Sequence, residues 1–203
     1  MAGSDAGSEE LVCVNVLYGH EAPVVSLAVS EELDATVSGA ADGRVVVHCL
    51  KDGSYVRQFL CTSSPEGNEV KASQEASQLT FSCHGDVVVH SWTDLSLHRF
   101  SINGAHLATG TAPTVINSLI TVGGGEYLLA GGQDGTVGVY TLHDLLLVHT
   151  INLHAHGGIT CMSMSVNSEY LLVGSEDGEL SVVTDTKTRL RMLDLAMRNA
   201  FVG

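Results

Sequence analysis

Residues 38–49 read SGAADGRVVVHC. Small residues lead into an Asp-Gly pair, and three valines and a histidine follow it. Asp-Gly readily supplies the positive φ of a tight turn, and β-branched valines favour an extended, half-buried backbone. The stretch therefore reads as the end of one strand, a turn at Asp42-Gly43, and a second strand. Reading outward, VVSLAVS is a strand, EELD a turn, ATVSGA a strand, ADG a turn and RVVVHCL a third strand; KDG then turns the chain into a fourth, SYVRQFL. Whether Asp42 and His48 are chemical groups or scaffolding depends on whether this unit occurs once.

The unit recurs. SLITVGGGEYLLAGGQDGTVGVYT and SMSVNSEYLLVGSEDGELSVVT are further copies. Aligned on the turn aspartate, the apolar residue 15 positions upstream is Leu27 for Asp42, Leu119 for Asp134 and Met162 for Asp177. The same spacing joins Leu79 to Asp94 and exposes a fourth copy, QLTFSCHGDVVVHSWTDLSLHRFS, in which Leu95 replaces the turn glycine. The turn aspartates lie 52, 40 and 43 residues apart, and the longest interval holds the polar insert TSSPEGNEVKASQEAS, which reads as an exposed loop. A further hairpin turn is expected at Asp52-Gly53, Asn103-Gly104, Asp144-Leu145 and Lys187-Thr188.

Four antiparallel strands per repeat of about 40 to 45 residues is the blade of a β-propeller. The expected fold is all-β, with about four four-stranded antiparallel blades near residues 18–60, 76–110, 112–153 and 154–196. Residues 1–10 read as a disordered segment, 11–196 as the propeller region and 197–203 as a tail. LVCVNVL, just before the first blade, reads as a strand that would complete a preceding one.

Composition narrows the function. Apolar residues make up 44% of the chain and charged residues 16%, which is a folded protein rather than an acidic tail. Nine Lys and Arg stand against 23 Asp and Glu, a net charge of -14. So acidic a chain repels phosphate backbones, and nucleic acid is not an expected partner. Five cysteines without C-x-x-C spacing point to free thiols in a reducing compartment. No secretory signal and no apolar run long enough to span a bilayer is present in the sequence. The reading is a soluble, cytoplasmic protein.

Several motifs invite chemistry and are weaker than they look. His154 and His156, in HAHGG, would point the same way in a strand, but a metal site needs a third ligand that the sequence does not locate. VGGGEYLLAGG lacks the Lys-Ser/Thr of a P-loop and the helix that a dinucleotide fingerprint requires. No nucleophile elbow is present. The expectation is a non-enzyme with no catalytic residue, cofactor or metal.

Gly19-His20 before the first blade, and SGAADGRVVVHC within it, resemble the WD-repeat propeller family. The signature Trp is replaced by His48, Phe100, Tyr140 and Val183. The resemblance implies that Asp42 accepts hydrogen bonds from turn amides and from His20, with Ser38 continuing the network toward His48 in the Trp position. At the Ser38 position the other copies carry His90, Ala130 and Val173, so Asp94, Asp134 and Asp177 are expected to rely on turn amides alone. HAHGG occupies the Gly-His position of the last copy, one residue out of register.

DLSLHRFSINGAHLATG, with its SING hairpin at 101–104, and EYLLAGGQDGTVGVYTLHDL further resemble the C-terminal WD-repeat region of BEACH-domain proteins, in the neurobeachin and beige-like anchor branch. That resemblance implies a protein-interaction scaffold in vesicle trafficking and membrane-protein sorting, cytoplasmic and peripheral on endomembranes. Membrane contact would be indirect, through upstream domains or partners. Propellers of this family have about seven blades, so four blades imply an incomplete portion, closed by upstream blades or another subunit. The alternative is a general WD-repeat adaptor, such as a ubiquitin-ligase substrate receptor or complex subunit. Basic proteins or peptides are the ligands that the acidity favours. The expected partner-binding loops carry Glu66, Asn68, Glu69, His106, His154 and His156.

Overall fold

The computed structural model describes residues 13–61, 76–122, 124–154, 156–186, 188–190 and 192. The segments expected to be disordered (1–10) and to form the C-terminal tail (197–203), and the loop with Glu66, Asn68 and Glu69, lie outside the described residues.

The fold is the expected propeller arc. Three sheets have four strands: β1 (Val24–Ser30) to β4 (Tyr55–Leu60), β5 (Ala76–Phe81) to β8 (His106–Thr111), and β9 (Ile116–Val122) to β12 (Leu147–Asn152). Between them run β2 (Ala35–Ala40), β3 (Arg44–Cys49), β6 (Asp86–Ser91), β7 (Ser96–Ser101), β10 (Tyr127–Gly132) and β11 (Thr136–Thr141). The fourth sheet has three strands among the described residues, β13 (Ile159–Met164), β14 (Leu171–Ser175) and β15 (Leu180–Val183). Every pairing is antiparallel between sequence neighbours. The innermost strands pack in succession, β1 on β5, β5 on β9 and β9 on β13.

The valine runs explain the stacking. A strand sandwiched between two neighbouring sheets is buried on both faces and reads as a continuous apolar run rather than an alternation. Val45–Val47 and Val87–Val89 are wholly buried for this reason. Val37, Val45 and Val47 meet Leu79, Phe81, Val87 and Val89; Val88 and Leu97 meet Leu119, Leu128 and Tyr140; Val137 and Val139 meet Ile159, Leu171 and Val173. Full burial of each such side chain contributes about 1.5–3 kcal/mol.

The 15-residue ruler also measures what is uncovered. Leu79 and Leu119 are 5% and 8% exposed because the preceding sheet covers them, whereas Leu27, at the same place on the first sheet, is 72% exposed. Among the described residues the arc is open at both ends.

The turn after the second strand needs a left-handed residue in every copy. Gly43, Gly135 and Gly178 have φ of 78°, 78° and 85°, and Leu95 is forced to 56° in the copy without a glycine. A non-glycine residue there carries about 1–2 kcal/mol of strain.

Three sequence expectations need correction. At Thr188 of the hairpin expected at Lys187-Thr188 the chain is helical instead: Asp185 turns it with φ 55°, Arg189 N–H donates to the Asp185 carbonyl at 2.9 Å, and 188–190 are helical, while Lys187 lies outside the described residues. Residues 13–17 of the expected upstream strand are paired in no sheet. His90 is not the counterpart of Ser38: Leu27 is registered with Ser38, but Leu79 with Val89. Ser30 pairs with Ala35, but Phe81 pairs with Val87 and Ser82 N–H donates to the Asp86 carbonyl, so the β5–β6 loop is one residue shorter by pairing; the following turn is one residue longer, and the overall spacing survives while one strand shifts its faces.

Candidate functional site

The turn aspartates gather at one end of the arc because backbone bonds tie each turn to the segments beside it. Ala41, Gln133 and Glu176 donate to the carbonyls of Pro23, Val115 and Gly158, which lead into the same blades. Cys61, Ala112 and His154 donate in turn to Gly43, Leu95 and Gly135. Asp42, Asp94, Asp134 and Asp177 thus stand on one rim, with Glu21, Glu176 and Glu179 exposed beside them.

Asp42 accepts the Arg44 amide at 3.1 Å, and its other oxygen meets Arg44 Nε at 3.2 Å. His20 Nε2 lies 2.7 Å from Ser38 Oγ. Among the described residues no hydrogen bond joins His20 to Asp42, and His20 Nδ1 is buried without a partner. Burial lowers the His20 pKa, and the Asp42 charge opposes that shift. Arg44, rather than His20, is the direct partner of the first turn carboxylate.

His48 does not continue this network. Its Nε2 lies 2.9 Å from the Tyr18 carbonyl, and its ring meets Tyr55 edge-on at 5.9 Å. A carbonyl only accepts, so Nε2 carries the proton. Phe100 and Tyr140 at the same position are buried apolar anchors between sheets.

The other aspartates do not rely on turn amides alone. Asp94 accepts the Ser96 amide and hydroxyl at 3.1 and 2.6 Å, and Asp134 accepts those of Thr136 at 3.1 and 2.8 Å. Asp177 takes the Ser175 hydroxyl. Burial raises the Asp94 pKa, and the Ser96 bonds outweigh it to leave the group lowered; the Ser175 bond holds Asp177 down. The overlooked signal was the residue two positions after the aspartate, Arg44, Ser96 or Thr136.

In the second blade one carboxylate orders two histidines. Ser96 uses its hydroxyl proton on Asp94, so its oxygen accepts from His98 Nε2 at 2.8 Å. His98 Nδ1 is then bare and faces Thr109 Oγ1 at 3.3 Å, which in turn lies 2.8 Å from His106 Nε2. Burial lowers the His98 pKa, with His106 adding repulsion. His90, wholly buried, is pushed down to about 4 by burial. His106 is not on the aspartate rim: it pairs with Phe100, at the far end of β7 from Asp94.

The two histidines of HAHGG separate. His154 is buried with Nδ1 3.3 Å from Glu179, whereas His156 is exposed. His154, Asp177 and Glu179 bring donor atoms within 4.8 Å of one another. The carboxylates are exposed, and His154 Nε2 is buried without a partner, so the orienting second bond of a built metal site is missing.

The family profile described as "Neurobeachin beta propeller domain" matches residues 9–192. BEACH domain-containing protein B of Arabidopsis thaliana is 37% identical over 138 residues, 68% of this chain; the chain spans only 5% of that relative's length. Among solved structures, the computationally designed Ika4 protein is 23% identical with a TM-score of 0.63, covering 83% of this chain and 95% of its own. The Myceliophteria thermophila Cps50 (Swd1) β-propeller domain is 16% identical with a TM-score of 0.66, and 83% of this chain covers 53% of that one.

Proposed function

The chain belongs to the neurobeachin β-propeller family, and from that premise we propose that it is a non-catalytic protein-interaction scaffold, the C-terminal propeller portion of a BEACH-type protein. The cellular setting that fits is vesicle trafficking and membrane-protein sorting, in the cytoplasm and on the surface of endomembranes. Among the described residues no helix is long and apolar enough to cross a bilayer, so attachment would run through other domains or partners.

The observation that supports this reading is the acidic rim. Four turn carboxylates and three glutamates share one end of the arc, and the whole chain carries a charge of -14. Such a surface draws basic proteins or peptides and speeds their encounter, with a strong dependence on salt. Blades completing the ring come from upstream sequence or another subunit.

The test is affinity capture on the purified chain, repeated with Glu21→Lys and Glu176→Lys. Sorting and coat components, captured less well by the charge-reversed chain and at raised salt, support the proposal. Capture of ligase subunits instead, or capture indifferent to both charge changes, overturns it.

A further inference from the structure

The chain holds a single tryptophan, and the register slip of the second blade sets it on the aspartate rim. β2 and β10 run to within two residues of their turn aspartates and end at Ala40 and Gly132, both buried. β6 stops one residue sooner, at Ser91, which pairs with Ser96. The longer turn carries Trp92, two residues before Asp94 and 50% exposed. Where the neighbouring blades have a small, buried strand end, this blade has a large indole in the turn. The second blade packs on the first through one core and on the third through another, so its surroundings are set within the chain. Tryptophan is highly buried on average and is among the side chains most enriched in the anchors of protein interfaces.

The distribution of charge identifies what would stand on it. Among the described residues most cations lie at the far ends of the blades. Lys51 pairs there with Asp34, and Arg57 reaches the Asn103 carbonyl in the β7–β8 turn. Arg99 is held by Asp86 at the start of β6 and by the His143 carbonyl, and Arg189 lies in the helical turn after β15. On the aspartate rim only Arg44 is described, and Asp42 and Glu21 hold it at 3.2 and 3.6 Å. Trp92 therefore stands on an acidic surface. A cation over an exposed indole face is attracted by the ring quadrupole, and the surrounding carboxylates raise the local concentration of cations. Arginine suits such a place better than lysine. Its flat, weakly hydrated guanidinium stacks on the ring and keeps its N–H groups for carboxylates, whereas an ammonium is a compact, strongly hydrated charge.

We infer that Trp92 is the anchor of the acidic rim, and that its occupant is an arginine side chain from an extended basic segment of a protein partner, stacked on the indole. The rim carboxylates draw the rest of that segment. This rests on the acidic-rim reading given above and deepens it by naming the residue that selects arginine.

The experiment uses the full chain and two probes of equal charge, octa-arginine and octalysine peptides. Intrinsic fluorescence reports Trp92 alone, because the chain has one tryptophan. Octa-arginine is expected to change the emission saturably, and octalysine to bind less tightly and change it less. Trp92→Ala is expected to weaken labelled octa-arginine about fivefold by fluorescence anisotropy, with Trp92→Phe in between. Circular dichroism checks that both variants retain their sheet content. Emission that stays constant at saturating octa-arginine overturns the inference and needs no variant. So does wild-type affinity in Trp92→Ala, or octalysine that binds as tightly as octa-arginine. If Glu21→Lys weakens binding while Trp92→Ala does not, the acidic rim stands and its anchor falls; if neither matters, both readings fall.

Discussion

His48 fixes the path of the chain ahead of the first blade by donating from Nε2 to the Tyr18 carbonyl at 2.9 Å. The residue occupies a position that the family gives to Trp, and it exchanges an apolar anchor for a tether. His48→Ala removes that bond and the edge-on contact with Tyr55. It is expected to destabilise the chain by about 1–2 kcal/mol and to make residues 13–20 the first site of proteolytic cleavage. Urea unfolding with limited proteolysis checks both, and an unchanged midpoint with unchanged cleavage contradicts the tether.

Arg99 and Asp86 form the most enclosed ion pair among the described residues, with Nη2 and Nε at 2.6 and 2.9 Å from one carboxylate oxygen. Arg99 also reaches the His143 carbonyl at 2.7 Å, joining the second blade to the third. Arg99→Ala strands a nearly buried carboxylate and is expected to lower stability by about 3 kcal/mol, while Arg99→Met with Asp86→Asn recovers most of it. Denaturant melts of the single and double variants decide the point.

Asp42→Ala removes the cap on Arg44 and is expected to cost about 1–2 kcal/mol. Thermal unfolding that stays unchanged while a binding partner is lost would mean that Asp42 serves recognition rather than the turn.

Acid should loosen the boundary between the second and third blades through His90. Its folded pKa of about 4 is below the ordinary 6.5, so the unfolded chain takes the proton more readily. The stability is fully present above pH 6.5 and is lost as pH falls toward 4, by about 3 kcal/mol in all. His98 shifts in the same direction. His90→Gln is expected to flatten the loss between pH 6.5 and 4; a slope identical to wild type assigns it to other groups.

Gly110 faces Leu145, a fully buried residue held at φ 56°. A Cβ on Gly110 would run into the Leu145 carbonyl and stand 2.7 Å from its Cβ. Gly110→Ala is expected to destabilise by about 1–3 kcal/mol through overpacking, measured as a drop in melting temperature with an unchanged urea slope.

The repeat was legible because it is written in local terms. Strand positions such as Val24–Ser30 and Ala35–Ala40 follow from alternation and turn residues, and the Leu79–Asp94 spacing found a blade whose turn glycine had become Leu95. The candidate site was legible only in part. Arg44, Ser96 and Thr136 as partners of the turn carboxylates lie two residues from an aspartate that was recognised, whereas the shift of His90 away from the Ser38 position leaves no local trace. One residue lost in a hairpin and one gained in the next turn cancel in any count along the chain.

Alternation, turn chemistry and a 15-residue spacing thus determined by themselves that the chain makes repeated antiparallel sheets, because side-chain direction and turn φ are properties of neighbouring residues. Only the tertiary structure decided which apolar faces are covered. Leu27, Leu79 and Leu119 read alike in sequence, yet burial depends on a sheet contributed by residues far away along the chain, and among the described residues no sheet covers Leu27.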